Sequence, residues 1–142
     1  MYLRIMTQEE LLEICELAEQ GKAQFKERIT KENQYDVACE MVAMSNYQGG
    51  SLFIGVVDKG GTLNALSYQE AQDTDSLLTT LASQMVTPGI LIGIENVKVD
   101  GGLIVVATIA EGKIKPYHDT KGIIWIKNGI DKRRVFENQE LA

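Results

Sequence analysis

Val37, Ala38, Met41, Val42 and Met44 recur at three- and four-residue spacing with Ser45 in phase, the pattern of a helix with one buried face. The same period over Leu11, Leu12, Ile14, Cys15, Leu17 and Ala18 predicts an earlier helix, opened by Thr7 and Glu10 in capping-box spacing and ended by Gly21. A third helix is predicted from Leu77, Leu78, Leu81, Ala82 and Met85, with Pro88-Gly89 closing it. Strand-length apolar runs occupy Leu52–Val57, Ile90–Val99, Leu103–Ala110 and Gly122–Lys127, and shorter ones Ala23–Glu27 and Thr62–Leu66. The fold class these imply is α+β, a mixed, mostly antiparallel sheet of five to six strands covered by helices near 8–20, 35–48 and 73–86. Glycine pairs mark the reversals: Gly49-Gly50 turns the central helix into the central strand, Asp58–Gly61 turns the chain again, and Asp100-Gly101-Gly102 and Asn128-Gly129 are hairpin signals.

Around that central helix and strand, Ala43, Ser45, Asn46, Gly49, Gly50, Leu52, Ile54, Gly55, Val56, Asp58 and Gly60 fit in register the string A-x-A-N-T-x-G-G-x-L-x-I-G-V-x-D-x-G. The chain in this way resembles the Schlafen-type AlbA-like domain, a module associated with DNA binding at the N-terminus of bacterial regulators and in Schlafen proteins. Asn46, Gly49, Gly50 and Gly55 are its expected turn-forming residues. A second stretch is similar to the family's closing segment: Pro116, Tyr117, Gly122, Ile126, Gly129 and Arg133 match, with Trp125 in an aromatic place and Lys127 for arginine. The resemblance spans roughly residues 9 to 142. It implies a single domain over 1–142 that forms the N-terminal part of a longer chain, and the helix-like opening at Glu137–Ala142 agrees with that expectation.

Charge changes the picture. The 142 residues carry a formal net charge of −6, which argues against a uniformly basic nucleic-acid binder. The balance is uneven, however: seven Lys and Arg face sixteen Asp and Glu up to residue 112, whereas seven face four from 113 onward. A polyanion-binding surface is therefore expected near the C-terminal end. Cys15 and Cys39 lie far apart on helical positions without zinc-ligand neighbours, so they are expected as reduced, buried thiols of a cytoplasmic protein. Neither a signal-peptide pattern nor a membrane span is present, and no membrane partner is expected.

The resemblance implies one catalytic possibility, because RNA-cleaving Schlafen relatives use three carboxylates, two from an E-x-x-x-x-E segment and one from the acidic turn after G-V. Such carboxylates bind divalent cations that activate water. Here the places are held by Glu19, Gln24 and Asp58, and the neutral Gln24 supplies no charge. No catalytic centre, metal or cofactor is expected on that ground. A phosphate-cradling G-x-x-x-x-G-K-[ST] string is absent, and His118 is the single histidine on which any histidine-based pair depends. Binding is expected instead from Lys115, Tyr117, His118, Lys121, Lys127, Lys132, Arg133 and Arg134, with Lys113 and Trp125 beside them, since spaced cations meet successive phosphates and aromatics stack on bases. The expected function is a non-catalytic nucleic-acid-binding module of a bacterial transcriptional regulator, preferring DNA to RNA. A Schlafen-type nuclease, intact or degenerate, and a homodimerising assembly domain are the alternatives.

Overall fold

The computed structural model describes residues 3–5, 7–57 and 62–135, with residues 3–5, 8, 11, 12, 15 and 19 as backbone only. In chain order the elements are β1 (Leu3–Ile5), α1 (Gln8–Glu19), β2 (Ala23–Lys26), α2 (Gln34–Ser45), β3 (Gly50–Ile54), α3 (Tyr68–Gln84), β4 (Gly93–Val99), β5 (Gly102–Ile109), β6 (Trp125–Asn128) and β7 (Asp131–Arg134). The expected α+β class, with three helices and a mixed sheet among the described residues, is what the chain forms.

Strand alternation decides how the layers stack. Along β3 and β5, Leu52, Ile54, Leu103, Val105, Ala107 and Ile109 project into a core shared with α2 and α3, whereas Phe53, Ile104 and Val106 project to the opposite face, under Ile14 and Ala18 of α1. The five-stranded sheet has the order β1-β4-β5-β3-β2. Its centre is antiparallel and its two edges are parallel, β1 on β4 and β2 on β3. Parallel neighbours need a long crossover, and α2 supplies the one between β2 and β3. Helix α3 starts at Tyr68 behind a complete Ser67/Glu70 capping box, so the helical readings of 67–70 and 73–86 join in one helix. The segment after β3 returns as expected, with Val56 bridging Leu63, although the turn at 58–61 lies outside the described residues.

One expectation is corrected. Helix α2 has no solvent face: every residue from Val37 to Ser45 is buried, Glu40 included. The reason is a second cover that the local pattern does not announce. The β6–β7 hairpin and the 111–124 loop fold over the side of α2 away from the sheet. The hairpin closes through Gly129-Ile130, with the positive φ (+65°) at Gly129, the first central position of the loop. Its tip meets the end of α1: a Cβ on Gly21 would lie 2.3 Å from Gly129 O. Among the described residues, no helix is long and apolar enough to cross a membrane.

Candidate nucleic-acid interface

Three sets of polar contacts strap the late segment to α2. At its C-terminal end, Asn46 is the helix C-cap and uses its whole amide on the cover: Nδ2 donates to Tyr117 O (2.9 Å) and Trp125 O (2.8 Å), and Oδ1 accepts from Tyr117 N (2.7 Å). Asn46 lies in the turn as expected and also pins a loop and a hairpin 71 and 79 residues downstream. Gly49 just behind it forms a turn. Its φ is +79° and a Cβ there would meet Ile109 O at 2.5 Å, so only glycine fits without strain. Gly55 has φ +107° between Leu66 and Ile104, and Gly50 lies against Met44, so all three glycines are also points of close approach.

At the middle, Asp119 is 1% exposed and acts as a hub. Oδ1 accepts from Lys121 N (2.8 Å) and Ile123 N (2.9 Å), and Oδ2 accepts from Trp125 Nε1 (2.9 Å), the Tyr35 hydroxyl and, more distantly, Cys39 Sγ. Burial alone raises a carboxyl pKa, but the Tyr35 and Trp125 donors and the two backbone amides outweigh it and hold Asp119 at about 2. The same burial, with the Asp119 charge nearby, pushes the Cys39 thiol up to about 11, so it is protonated at neutral pH. Cys39 is the buried, free thiol expected, while the Cys15 side chain lies outside the described residues.

At the N-terminal end, Lys132 Nζ reaches Asp36 Oδ1 (2.5 Å) and Glu40 Oε1 (3.1 Å), and Asp36 Oδ2 accepts from Lys26 Nζ of β2 (2.7 Å). Burial works against both charges, yet the paired lysines lower the Asp36 pKa and the two carboxylates raise that of Lys132. The network borders a polar cleft of about 320 Å³ lined by Gln24, Lys26, Asp36, Glu40, Asp131 and Lys132.

The late cations are consequently divided. Register pairs Lys127 with Lys132 and Trp125 with Arg134 on one face of the hairpin, and Ile126 with Arg133 on the other. Trp125 packs on the core and Lys132 lies 5.5 Å from its ring, so Trp125, Lys127 and Lys132 are turned to α2, while Arg134, at the end of the strand, is exposed. Lys127 is half-buried, donates to Ile130 O (3.1 Å), and burial with the neighbouring Lys132 lowers its pKa. Lys132 is thus engaged by two carboxylates and Lys127 by a backbone carbonyl. Tyr117 is 5% exposed, its ring packs on Gly112, and its hydroxyl accepts from Ile114 N, so its ring faces the interior. Trp125, half-buried and bonded to Asp119, is equally a core residue.

His118 is half-buried. Its ring Nδ1 lies 2.8 Å from Asp119 O, and its backbone pairs with Thr87. Toward solvent stand Lys113, Lys115, Lys121, Arg133 and Arg134. Lys121 Nζ caps the Tyr35 ring at 4.3 Å, and Lys115 bridges Glu111 (2.7 Å) and Tyr47 O (3.3 Å). Asn46 connects these groups in space, for it holds Tyr117, two residues beyond Lys115, and Trp125, the partner of Arg134.

Of the three carboxylate places, only that of Gln24 has a described side chain. Gln24 donates its amide to Ile130 O, which commits it to the hairpin tip, and the Glu19 side chain and all of Asp58 lie outside the described residues. Among the described residues, no three His, Cys, Asp or Glu side chains cluster in a way that would hold a metal ion. Sequence reasoning passed over Asp36, Glu40, Lys26 and Asp119. Asp119 carried a usable signal, an aspartate three residues before Gly122 able to bond amides two and four positions on.

Comparison with known proteins places this arrangement in a family. No curated protein matches the chain. Among solved structures, the DIP2311 protein from Corynebacterium diphtheriae superposes with a TM-score of 0.61 at 20% identity, covering 91% of this chain and 23% of that one. The N-terminal domain of a RecG-related protein from Nitrosomonas europaea superposes with a TM-score of 0.58 at 17% identity, covering 90% and 95%. At these identities the likeness concerns the fold, and the chain spans about a quarter of the DIP2311 protein. The family model described as Schlafen, AlbA_2 matches residues 19–136, most of the chain, and the protein therefore belongs to the Schlafen AlbA_2 family.

Proposed function

We propose that this domain binds nucleic acid, DNA in preference to RNA, without catalysing a reaction on it, and that its contact surface is the solvent side of the clamped late segment: Lys113, Lys115, Lys121, Arg133 and Arg134. The observation that carries the reading is the Asn46 strap, which fixes a basic loop and the arginine-bearing end of a hairpin to one buried helix. Cations on a fixed frame meet phosphates with less ordering cost than cations on a free tail. The kinship of the fold with a domain from a protein named after an ATP-dependent DNA helicase is consistent with a polyanionic partner. The acidic remainder of the chain keeps affinity modest and salt-sensitive. Gln24 supports a non-catalytic role, since its neutral amide is spent on Ile130.

Fluorescence anisotropy with a labelled 24-bp DNA across a salt series tests the proposal. Binding that weakens linearly in log salt, with a slope of about −3 to −5 for four or five phosphate contacts, is the expected result. Absence of binding at low salt overturns it. Cleavage of labelled RNA or DNA in Mg or Mn overturns the non-catalytic half.

A further inference from the structure

We infer that the Lys113-Ile114-Lys115 loop is an apolar wedge that unstacks a DNA base step, with the two lysines holding the flanking phosphates; the inference rests on the nucleic-acid reading above. Ile114 is 68% exposed, a branched aliphatic group held out into water. Single exposed hydrophobics are common and by themselves signify nothing. This one is held in place by its backbone. Gly112 N donates to Ser45 O (2.8 Å), Ile114 N to Tyr117 Oη (3.3 Å), and Tyr117 N to Asn46 Oδ1 (2.7 Å). Beneath the loop, a Cβ on Gly112 would fall 2.1 Å from the Tyr117 ring, so the chain is seated directly on a buried aromatic. The Ile114 side chain is therefore projected from the same Asn46 frame that carries the hairpin.

Charge says what it meets. Lys113 and Lys115 flank Ile114 and are both exposed, and the Lys115–Glu111 pair is a solvent-facing one of the kind that exchanges readily for phosphate. Proteins that insert an aliphatic side chain between base pairs place it in this setting, between cations that grip the adjacent backbone. One exposed isoleucine is too little apolar area to anchor a protein in a bilayer, which favours the nucleic acid over an acidic membrane.

The experiment uses the full chain and a 24-bp duplex with 2-aminopurine at a central TA step, a step that opens easily. The wild type is expected to raise 2-aminopurine fluorescence on binding. Ile114→Ala is expected to abolish that rise and weaken binding roughly tenfold while the salt slope is unchanged, whereas Lys113→Ala with Lys115→Ala lowers the slope by about two. Ile114 is exposed, so the variant's thermal midpoint should match wild type, and circular dichroism checks it. Salt-dependent binding with no fluorescence change, or the same change in Ile114→Ala, overturns the wedge and leaves the basic surface standing. Failure of the wild type to bind any duplex overturns both. Binding to phosphatidylserine vesicles that Ile114→Ala removes, without effect on DNA binding, overturns the wedge in favour of a membrane loop.

Discussion

Replacing Asp119 by asparagine removes the negative charge of the hub and keeps its shape. The Oδ1 contacts to Lys121 N and Ile123 N survive, while an amide nitrogen in the Oδ2 place faces the Trp125 indole and the Tyr35 hydroxyl, both donors. Hydrogen bonds to a charged group contribute about 1.5–3 kcal/mol each, and Tyr35 recovers part of its share by rotating its hydroxyl to accept, so a loss of about 2–4 kcal/mol is expected. The carboxyl's titration supplies an independent figure. With the folded pKa at about 2 against an ordinary 3.8, the ionised form is favoured by roughly 2.5 kcal/mol. Because the folded pKa is the lower one, that stability is present above pH 4 and drains away as pH falls from about 4 to 2. Urea unfolding followed by Trp125 fluorescence, with circular dichroism as the global probe, measures both. For an m-value of about 2 kcal/mol/M, the Asp119→Asn midpoint should fall by about 1–2 M at pH 7. The difference between variant and wild type should then shrink from pH 4 to pH 2. Equal midpoints at pH 7, or a difference that persists unchanged at pH 2, would refute the hub.

Other consequences follow from the same contacts. Asn46→Ala leaves Tyr117 N, Tyr117 O and Trp125 O without their partner and should lower stability by about 2–4 kcal/mol, with amide exchange of residues 117–126 accelerating before that of the sheet. Lys132→Met leaves Glu40, 3% exposed, without its ion pair; a loss of about 2–3 kcal/mol in urea unfolding is expected, moderated by solvent around Asp36. Since the Lys132 pKa is raised on folding, its contribution is complete below pH 10.5 and lost above, whereas that of Asp36, lowered on folding, is complete above pH 4 and lost below; a pH series on this variant should therefore be flatter than wild type at both extremes. The Cys39 thiol, buried and protonated, should react with Ellman's reagent at pH 8 only as fast as the cover opens, and Asn46→Ala should speed that reaction at least tenfold.

The central layers were legible because their signals are local. Leu52, Phe53 and Ile54 in β3 and the Leu103 to Ile109 run in β5 are apolar on both faces, which is how strands covered on both sides read, and Gly49, Gly101 and Gly129 mark reversals with positive φ. What escaped is non-local. Three residues of β1 carry no period and gain their place only by pairing with β4, more than ninety positions later. The sequence of α2 looks amphipathic because Glu40 interrupts it, and Glu40 is tolerated inside only because Lys132 arrives from the far end of the chain. Alternation along residues 122–127 allowed either face of the hairpin to point inward. The Trp125–Asp119 bond and the Lys132–Asp36 pair decide it, and they divide a charge cluster that is contiguous in sequence into half-buried, paired lysines and exposed cations.

That division is tested most directly by titrating labelled 24-bp DNA, across a salt series, with wild type, Arg133→Ala with Arg134→Ala, and Lys132→Met kept well below its unfolding midpoint. The arginine double variant should bind more weakly with a salt slope reduced by about two, and Lys132→Met should keep the wild-type slope. A slope unchanged by losing the arginines, or reduced by losing Lys132 in a protein that is still folded, would contradict the assignment.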